Sequence, residues 1–92
     1  MALNRGAIIG FEHDRMVMLF SMMNGGAEVA CAISSSAMDE LERGVRAKPE
    51  QRDAQFLRLR ERIEQCASRK FEAREFEGTP PGIILRSLDF RG

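Results

Sequence analysis

Gln51–Lys70, QRDAQFLRLRERIEQCASRK, is the stretch whose reading decides the fold. At about 100° per residue, Phe56, Leu59, Ile63, Cys66 and Ala67 share one stripe of a helix. Arg58, Glu61, Arg62, Gln65 and Arg69 fall on the opposite side. Strand alternation fails, because Phe56 and Leu57 are adjacent and charges then intervene at helical spacing. Arg60–Glu64, Arg58–Glu61 and Arg69–Glu72 are spaced for helical ion pairs, each worth a few tenths of a kcal/mol. Burying Phe56, Leu59 and Ile63 contributes about 1.5–3 kcal/mol apiece, so the stripe outweighs the charges. Pro49 suits the first turn, where its missing N–H costs nothing. Glu50 and Asp53 lie near the positive helix end.

Working outward toward the N-terminus, MVMLFSMM (Met16–Met23) is an apolar run of strand length. Asn24-Gly25-Gly26 follows, then AEVACAI (Ala27–Ile33). Asn-Gly between two apolar runs is a strong hairpin signal, since a type I′ turn needs positive φ at both central positions. With Asn24-Gly25 as the loop, the pairs Met22/Ala27, Phe20/Val29, Met18/Cys31 and Met16/Ile33 share one wholly apolar face, expected against the helices. The other face carries Val17, Leu19, Ser21, Met23, Glu28, Ala30 and Ala32, and is largely apolar too. A three-residue loop would change the partners.

Residues 1–15 read as an extended arm or a short strand at Ala7-Ile8-Ile9, with a polar turn at Glu12–Arg15. After the hairpin, Ser34-Ser35-Ser36 offers N-caps for a short helix, AMDELERG. Ser36 with Asp39 loosely matches a capping box. Ala37, Met38, Leu41 and Val45 form its apolar side, and Gly44 can end it. Beyond Lys70, Phe71–Phe76 could continue the helix or start a strand. Gly78-Thr79-Pro80-Pro81-Gly82 is a firm break. Ile83–Leu88 is β-branched enough for a strand, and a hairpin of 71–76 with 83–88 is expected.

The chain has 92 residues, 30% charged, with no net charge. That length gives one domain, spanning 1–92, with a core that needs no staples. No apolar run approaches the roughly 18–20 residues of a membrane span. The start has no signal-peptide layout, and two cysteines lack a framework spacing, so a cytoplasmic protein is expected. Six Phe with no Trp or Tyr weaken any base-stacking or sugar-binding role.

The methionine-rich strand, the hairpin ending in CAIS (Cys31–Ser34), AMDEL after it and the FLRLRERIEQCASRKF helix together resemble a group of short bacterial proteins, the domain of unknown function fourteen-eighty-eight family. The similarity covers roughly residues 7 to 90 and rests on apolar positions and the Ile33-Ser34 junction. It implies a small α+β fold of two strands, two helices and final strand structure. It implies no activity and assigns no functional residue. Pro80-Pro81 departs from the shorter final loop the family leads one to expect.

No catalytic set emerges. His13 is the lone histidine, between Glu12 and Asp14, and a turn histidine is most often simply solvated. Cys31 and Cys66 fall on inward faces, where cysteine behaves as a small hydrophobe. Gly25-Gly26 has no following Lys-Ser/Thr, and Ser34–Ser36 lack a nucleophile elbow. Segment 52–70 has six basic residues against three acidic ones. Arg58, Arg62 and Arg69 on its outer face could touch phosphates, though interleaved acids favour a solvated, ion-paired face.

The expected fold is therefore α+β: a small antiparallel sheet with two helices packed on one face, order ββααββ. The expected role is a non-enzymatic interaction or regulatory module without cofactor, metal or membrane. It would act as a homodimer or with another protein through Val17, Leu19, Met23, Ala30 and Ala32. Two other dispositions stay open: the arm Ala7–Phe11 folds over that face, or an edge strand extends the sheet. The alternative role is weak nucleic-acid binding by Arg58, Arg62 and Arg69.

Overall fold

A computed structural model describes residues 3–78 and 81–91. Three strands come first: β1 (Asn4–Glu12), β2 (Val17–Asn24) and β3 (Ala27–Ser34). Helices α1 (Ser35–Leu41) and α2 (Arg52–Glu72) follow, then β4 (Ile83–Leu85). Single 3-10 turns, Pro49–Gln51 and Ser87–Phe90, lead into α2 and follow β4. The spatial order is β1-β2-β3-β4, with β4 parallel to β3.

This corrects the expected ββααββ order and the wholly antiparallel sheet. The first segment is a full strand, paired in the plane of the sheet beside β2. It does not fold over the outer face. Phe71 and Glu72 prolong α2 and no strand forms at 71–76. The expected hairpin shrinks to one antiparallel bridge, Glu77 with Gly82. Of the Gly78–Gly82 break, residues 79 and 80 lie outside the described residues. A parallel neighbour needs a long crossover, which α1 and α2 supply between β3 and β4.

The hairpin loop is Gly25-Gly26, not Asn24-Gly25, so Asn24 opposes Ala27 and Met22 opposes Val29. Gly25 has φ 63 while Gly26 is not left-handed, the pattern of a II′ turn. Each β2 residue thus meets a partner two places further along β3 than expected. A shift of two preserves the side-chain parity, so the faces survive. Met18, Phe20, Met22, Cys31 and Ile33 are buried against Phe56, Leu59, Ile63, Cys66 and Ala67 of α2. The Phe20 and Phe56 rings meet with centroids 5.0 Å apart. Met16 leaves this set: it ends the Glu12–Arg15 turn with φ 55, exposed.

Ser34, not Ser36, caps α1: its Oγ accepts from the Ala37 N–H at 3.1 Å. Ala37 and Met38 enter the core, whereas Val45 is 67% exposed. Both helices end in a Schellman motif with arginine at the left-handed position. In α1 Arg43 has φ 64 and the Gly44 N–H donates to Asp39 O. In α2 Arg74 has φ 59 and the Glu75 N–H donates to Lys70 O.

Buried charges lock the layers. Arg52, 5% exposed, donates to Asp39 and to the fully buried Gln55, tying α2 to α1. Lys70 Nζ donates to Ile84 O at 2.9 Å and to Asp89 Oδ2 at 3.2 Å, fastening α2 to β4 and the last turn. Arg5 forks onto Glu64, which also receives Arg60, and Ser68 Oγ accepts from the Leu3 N–H. These bonds hold β1 on α2. No described helix is long and apolar enough to cross a membrane.

Candidate interaction surface

Alternation along three strands builds the outer face. Val17, Leu19, Ser21 and Met23 of β2 oppose Ser34, Ala32, Ala30 and Glu28 of β3. Ile84 of β4 lies next to Ala32. Helices occupy the opposite side of the sheet. Val17, Leu19, Met23 and Ile84 are partly buried, Ala30 is exposed, and Ala32 is 7% exposed between its neighbours. All five expected interface residues therefore share one side, although Ala32 contributes floor rather than reach.

Ser21 is the outward residue that is covered. Gly6 approaches it so closely that a Cβ there would lie 2.4 Å from Ser21 O. The Ala7 N–H donates to Ser21 Oγ at 3.0 Å. The register shifts between Arg5 and Ile8, so β1 bulges at this point. Toward the other end of β1, Gly10 opposes Leu19 and leaves its flank open.

Two open troughs cross the face. One is lined by Arg15, Leu19, Ala30, Ala32, Gly82 and Ile84. The other runs on through Val17, Ser34 and Ile84 to Arg86 and Leu88. Leu88, which lines the second trough, is 73% exposed and adds apolar surface to the patch. Sequence reading missed Ile84, Leu88, Arg15 and Arg86. The period-2 alternation of Ile83-Ile84-Leu85 could signal one outward residue. Its place beside Ala32 depends on a parallel pairing that no local pattern encodes.

The rim charges are mostly paired within the chain. Arg15 Nε and Nη2 donate to Glu12, and Arg86 Nη1 to Glu77. The hydrogen bond from Arg15 holds the Glu12 carboxyl below the usual range, and Arg86 does the same for Glu77. Glu28 makes no ion pair among the described residues.

The other candidates are scattered. Arg58 forks onto Glu42 rather than Glu61, at 2.8 and 2.9 Å. Arg69 Nη2 donates to Asp89 O, and Arg62 is exposed between them on α2. Two of the three arginines offered to phosphate are thus engaged by the chain itself. His13 is exposed, its ring edge-on to Phe11. Cys31 and Cys66 are free thiols pointing into the core. Burial pushes the Cys31 thiol up to about 12 and raises Cys66 as well, so both stay protonated near neutrality. Among the described residues no group of His, Cys, Asp and Glu converges as a metal site.

No curated protein matches this chain. A crystal structure of a protein of unknown function from the DUF1488 family, from Shewanella loihica PV-4, superposes with a TM-score of 0.79 at 18% identity. The alignment covers 92% of this chain and 93% of that one, and at this identity it speaks for the fold alone. The family described as "Protein of unknown function (DUF1488)" matches residues 6–84, and the chain belongs to that family.

Proposed function

We propose that the protein is a non-enzymatic interaction module that works through the outer face of its sheet. One observation carries the reading. An antiparallel sheet with one wet side normally turns polar residues outward. Here the outward set over β2, β3 and β4 is Val17, Leu19, Met23, Ala30, Ala32 and Ile84, relieved by Ser21, Ser34 and Glu28, with Asn4, Gly10 and Glu12 of β1 along its margin. Contiguous apolar surface of this kind marks an interface, because leaving it in water forgoes burial energy. Methionine at the patch edge adapts to a partner's shape. The sheet edges suit pairing less well. The β1 edge bulges near Gly6, and β4 is three residues long.

A photo-crosslinking residue tests the reading in the living cell. Ala30→benzoylphenylalanine should give a discrete adduct, and the same residue at Arg62, on the outer side of α2, should not. Adducts at Arg62 alone, or none at either position, would overturn it.

A further inference from the structure

We infer that the occupant of this face is a second copy of the chain, stacked face to face about a two-fold axis that crosses the strands. The inference rests on the interaction reading above and names its partner. It stands on the layout of charge, on the small side chains at the centre of the face and on area.

Charge comes first. The outward end of the β2–β3 ribbon at the hairpin carries Glu28, opposite Met23. The other end carries Arg15, just before Val17 and paired with Glu12, and Arg86, paired with Glu77, across the second trough. Arg15 keeps Nη1 free of Glu12, and Arg86 keeps Nε and Nη2 free of Glu77. These nitrogens can therefore take another carboxylate. A face-to-face pair allows two simple axes. An axis along the strands sets the two unpaired Glu28 carboxylates over each other, which repels, and the two Arg15–Glu12 pairs over each other, which gives nothing back. An axis across the strands reverses the ribbon, so each Glu28 meets the Arg15 and Arg86 end of the other copy. The surface is then self-complementary, as an isologous contact requires.

Shape agrees. An axis across the middle of the ribbon passes between the outward pairs Leu19/Ala32 and Ser21/Ala30, with Val17 beyond one pair and Met23 beyond the other. Ala30 and Ala32 make a low floor on β3, so two β3 strands can approach closely. Aligned sheets pack about 10 Å apart through such interdigitating inner faces. Each copy then contributes an outer helical layer to a four-layer assembly.

Area sets the strength. From strand spacing and rise, the face measures on the order of 500 Å² per copy, or about 1,000 Å² for the pair. That is the low end of specific interfaces, the class of weak and transient contacts.

The test uses the purified full chain, with analytical ultracentrifugation up to about 300 µM, high enough to populate a weak dimer. The wild type should approach twice 10.4 kDa, while Leu19→Glu should stay monomeric with an unchanged circular dichroism spectrum. Mild oxidation of Arg15→Cys/Glu28→Cys should join position 15 of one copy to position 28 of the other. Within one copy those positions lie about 20 Å or more apart by strand rise, too far for a bond. Joining of 28 to 28 without 15 to 28 would overturn the axis. A wild type monomeric throughout the range would overturn self-association. If an Ala30 crosslink then still forms in cells at a mass other than twice the chain's, the interaction face stands and its partner is a different protein. If no crosslink forms, both readings fall together.

Discussion

Arg52 Nη1 lies 2.6 Å from Asp39 Oδ1, with Arg52 almost fully buried between α1 and α2. Gln55 Nε2 donates to the same carboxylate oxygen at 2.9 Å, and the Ala47 N–H reaches it at 3.3 Å. Asp39 therefore neutralises a charge that cannot reach water. Removing one partner of a buried pair costs about 3–5 kcal/mol, because the other is left uncompensated. Asp39→Ala should lose that much in urea unfolding. Asp39→Ala with Arg52→Met should recover most of it. If the double variant is no more stable than Asp39→Ala, the pair is not the clamp between the helices.

The same carboxyl sets an acid limit. Burial alone would raise its pKa, but the bonds from Arg52, Gln55 and the Ala47 amide outweigh it and leave it below its ordinary 3.8. A carboxyl depressed in the fold contributes stability that is present above the unfolded value. That contribution is lost as pH falls through the folded value. Stability should thus hold from neutrality to about pH 4 and decline below it. Asp39→Asn should start lower and show a shallower decline, measured as urea midpoints from pH 6 down to about pH 2. Parallel curves would assign the acid sensitivity to other carboxylates.

Much of this architecture was legible in local sequence. The stripe from Phe56 to Ala67 identified α2 because periodicity over about three turns leaves little room for another element. The two faces of the β2–β3 ribbon also read correctly despite the wrong loop, since a two-residue shift keeps parity. What failed was non-local. Arg52 and Lys70 sat among charges that looked solvated, and their partners Asp39 and Asp89 are 13 and 19 residues away. The Phe71–Phe76 segment has strand-like composition, yet the preceding helix runs on into it and stops at a backbone motif that arginine occupies. The direction of β4 follows from the crossover, which no residue in Ile83–Leu85 announces. For the site, the five outward residues were found from alternation, while Ile84 and the arginine rim came into view only with the parallel strand.

Two glycines are steric necessities and a third is not. A Cβ on Gly6 would meet Ser21 O at 2.4 Å, and on Gly82 it would meet Ala30 O at 2.6 Å. Both obstacles are backbone atoms in the sheet, which cannot rotate away. Gly6→Ala and Gly82→Ala should each cost about 1–3 kcal/mol, the usual range for overpacking. Nothing lies within 4 Å of a Cβ on Gly26, and its φ is not left-handed. Gly26→Ala should change stability by less than about 0.5 kcal/mol, as open surface positions do. Equal effects at all three positions in thermal melts would contradict the close approach of β1 to β2 and of Gly82 to β3.

Arg43 and Arg74 offer the opposite test. Each holds a left-handed φ at the end of a helix, near 64° and 59°. An L-residue there costs roughly 1–2 kcal/mol relative to its right-handed form. Glycine removes that strain and gives back about 0.5–1 kcal/mol in backbone entropy. Arg43→Gly and Arg74→Gly should therefore each stabilise by up to about 1 kcal/mol, additively, since the two caps share no partner. Neither guanidinium makes a hydrogen bond or ion pair among the described residues, so little is lost in exchange. A fall in Tm for both variants would place the helix ends elsewhere.

Leu19 and Phe20 are adjacent in β2 and should respond in opposite ways. Phe20 is buried against Phe56, at a ring separation of 5.0 Å, in the middle of the core. Phe20→Ala removes a large side chain from a closed space and should cost about 3–5 kcal/mol. Leu19 faces outward over Ala32, partly buried in the monomer. Leu19→Thr keeps a β-suited residue, so the monomer should lose less than about 1 kcal/mol. The contrast grows with concentration if the outer face is occupied by another copy, because a ligand of the native state adds to its stability by mass action. Wild-type Tm should then rise between roughly 5 and 300 µM protein, while Leu19→Thr stays flat. A Leu19→Thr variant as damaged as Phe20→Ala at every concentration would mean that both sides of the ribbon are core, and that the apolar outer face has no partner to seek.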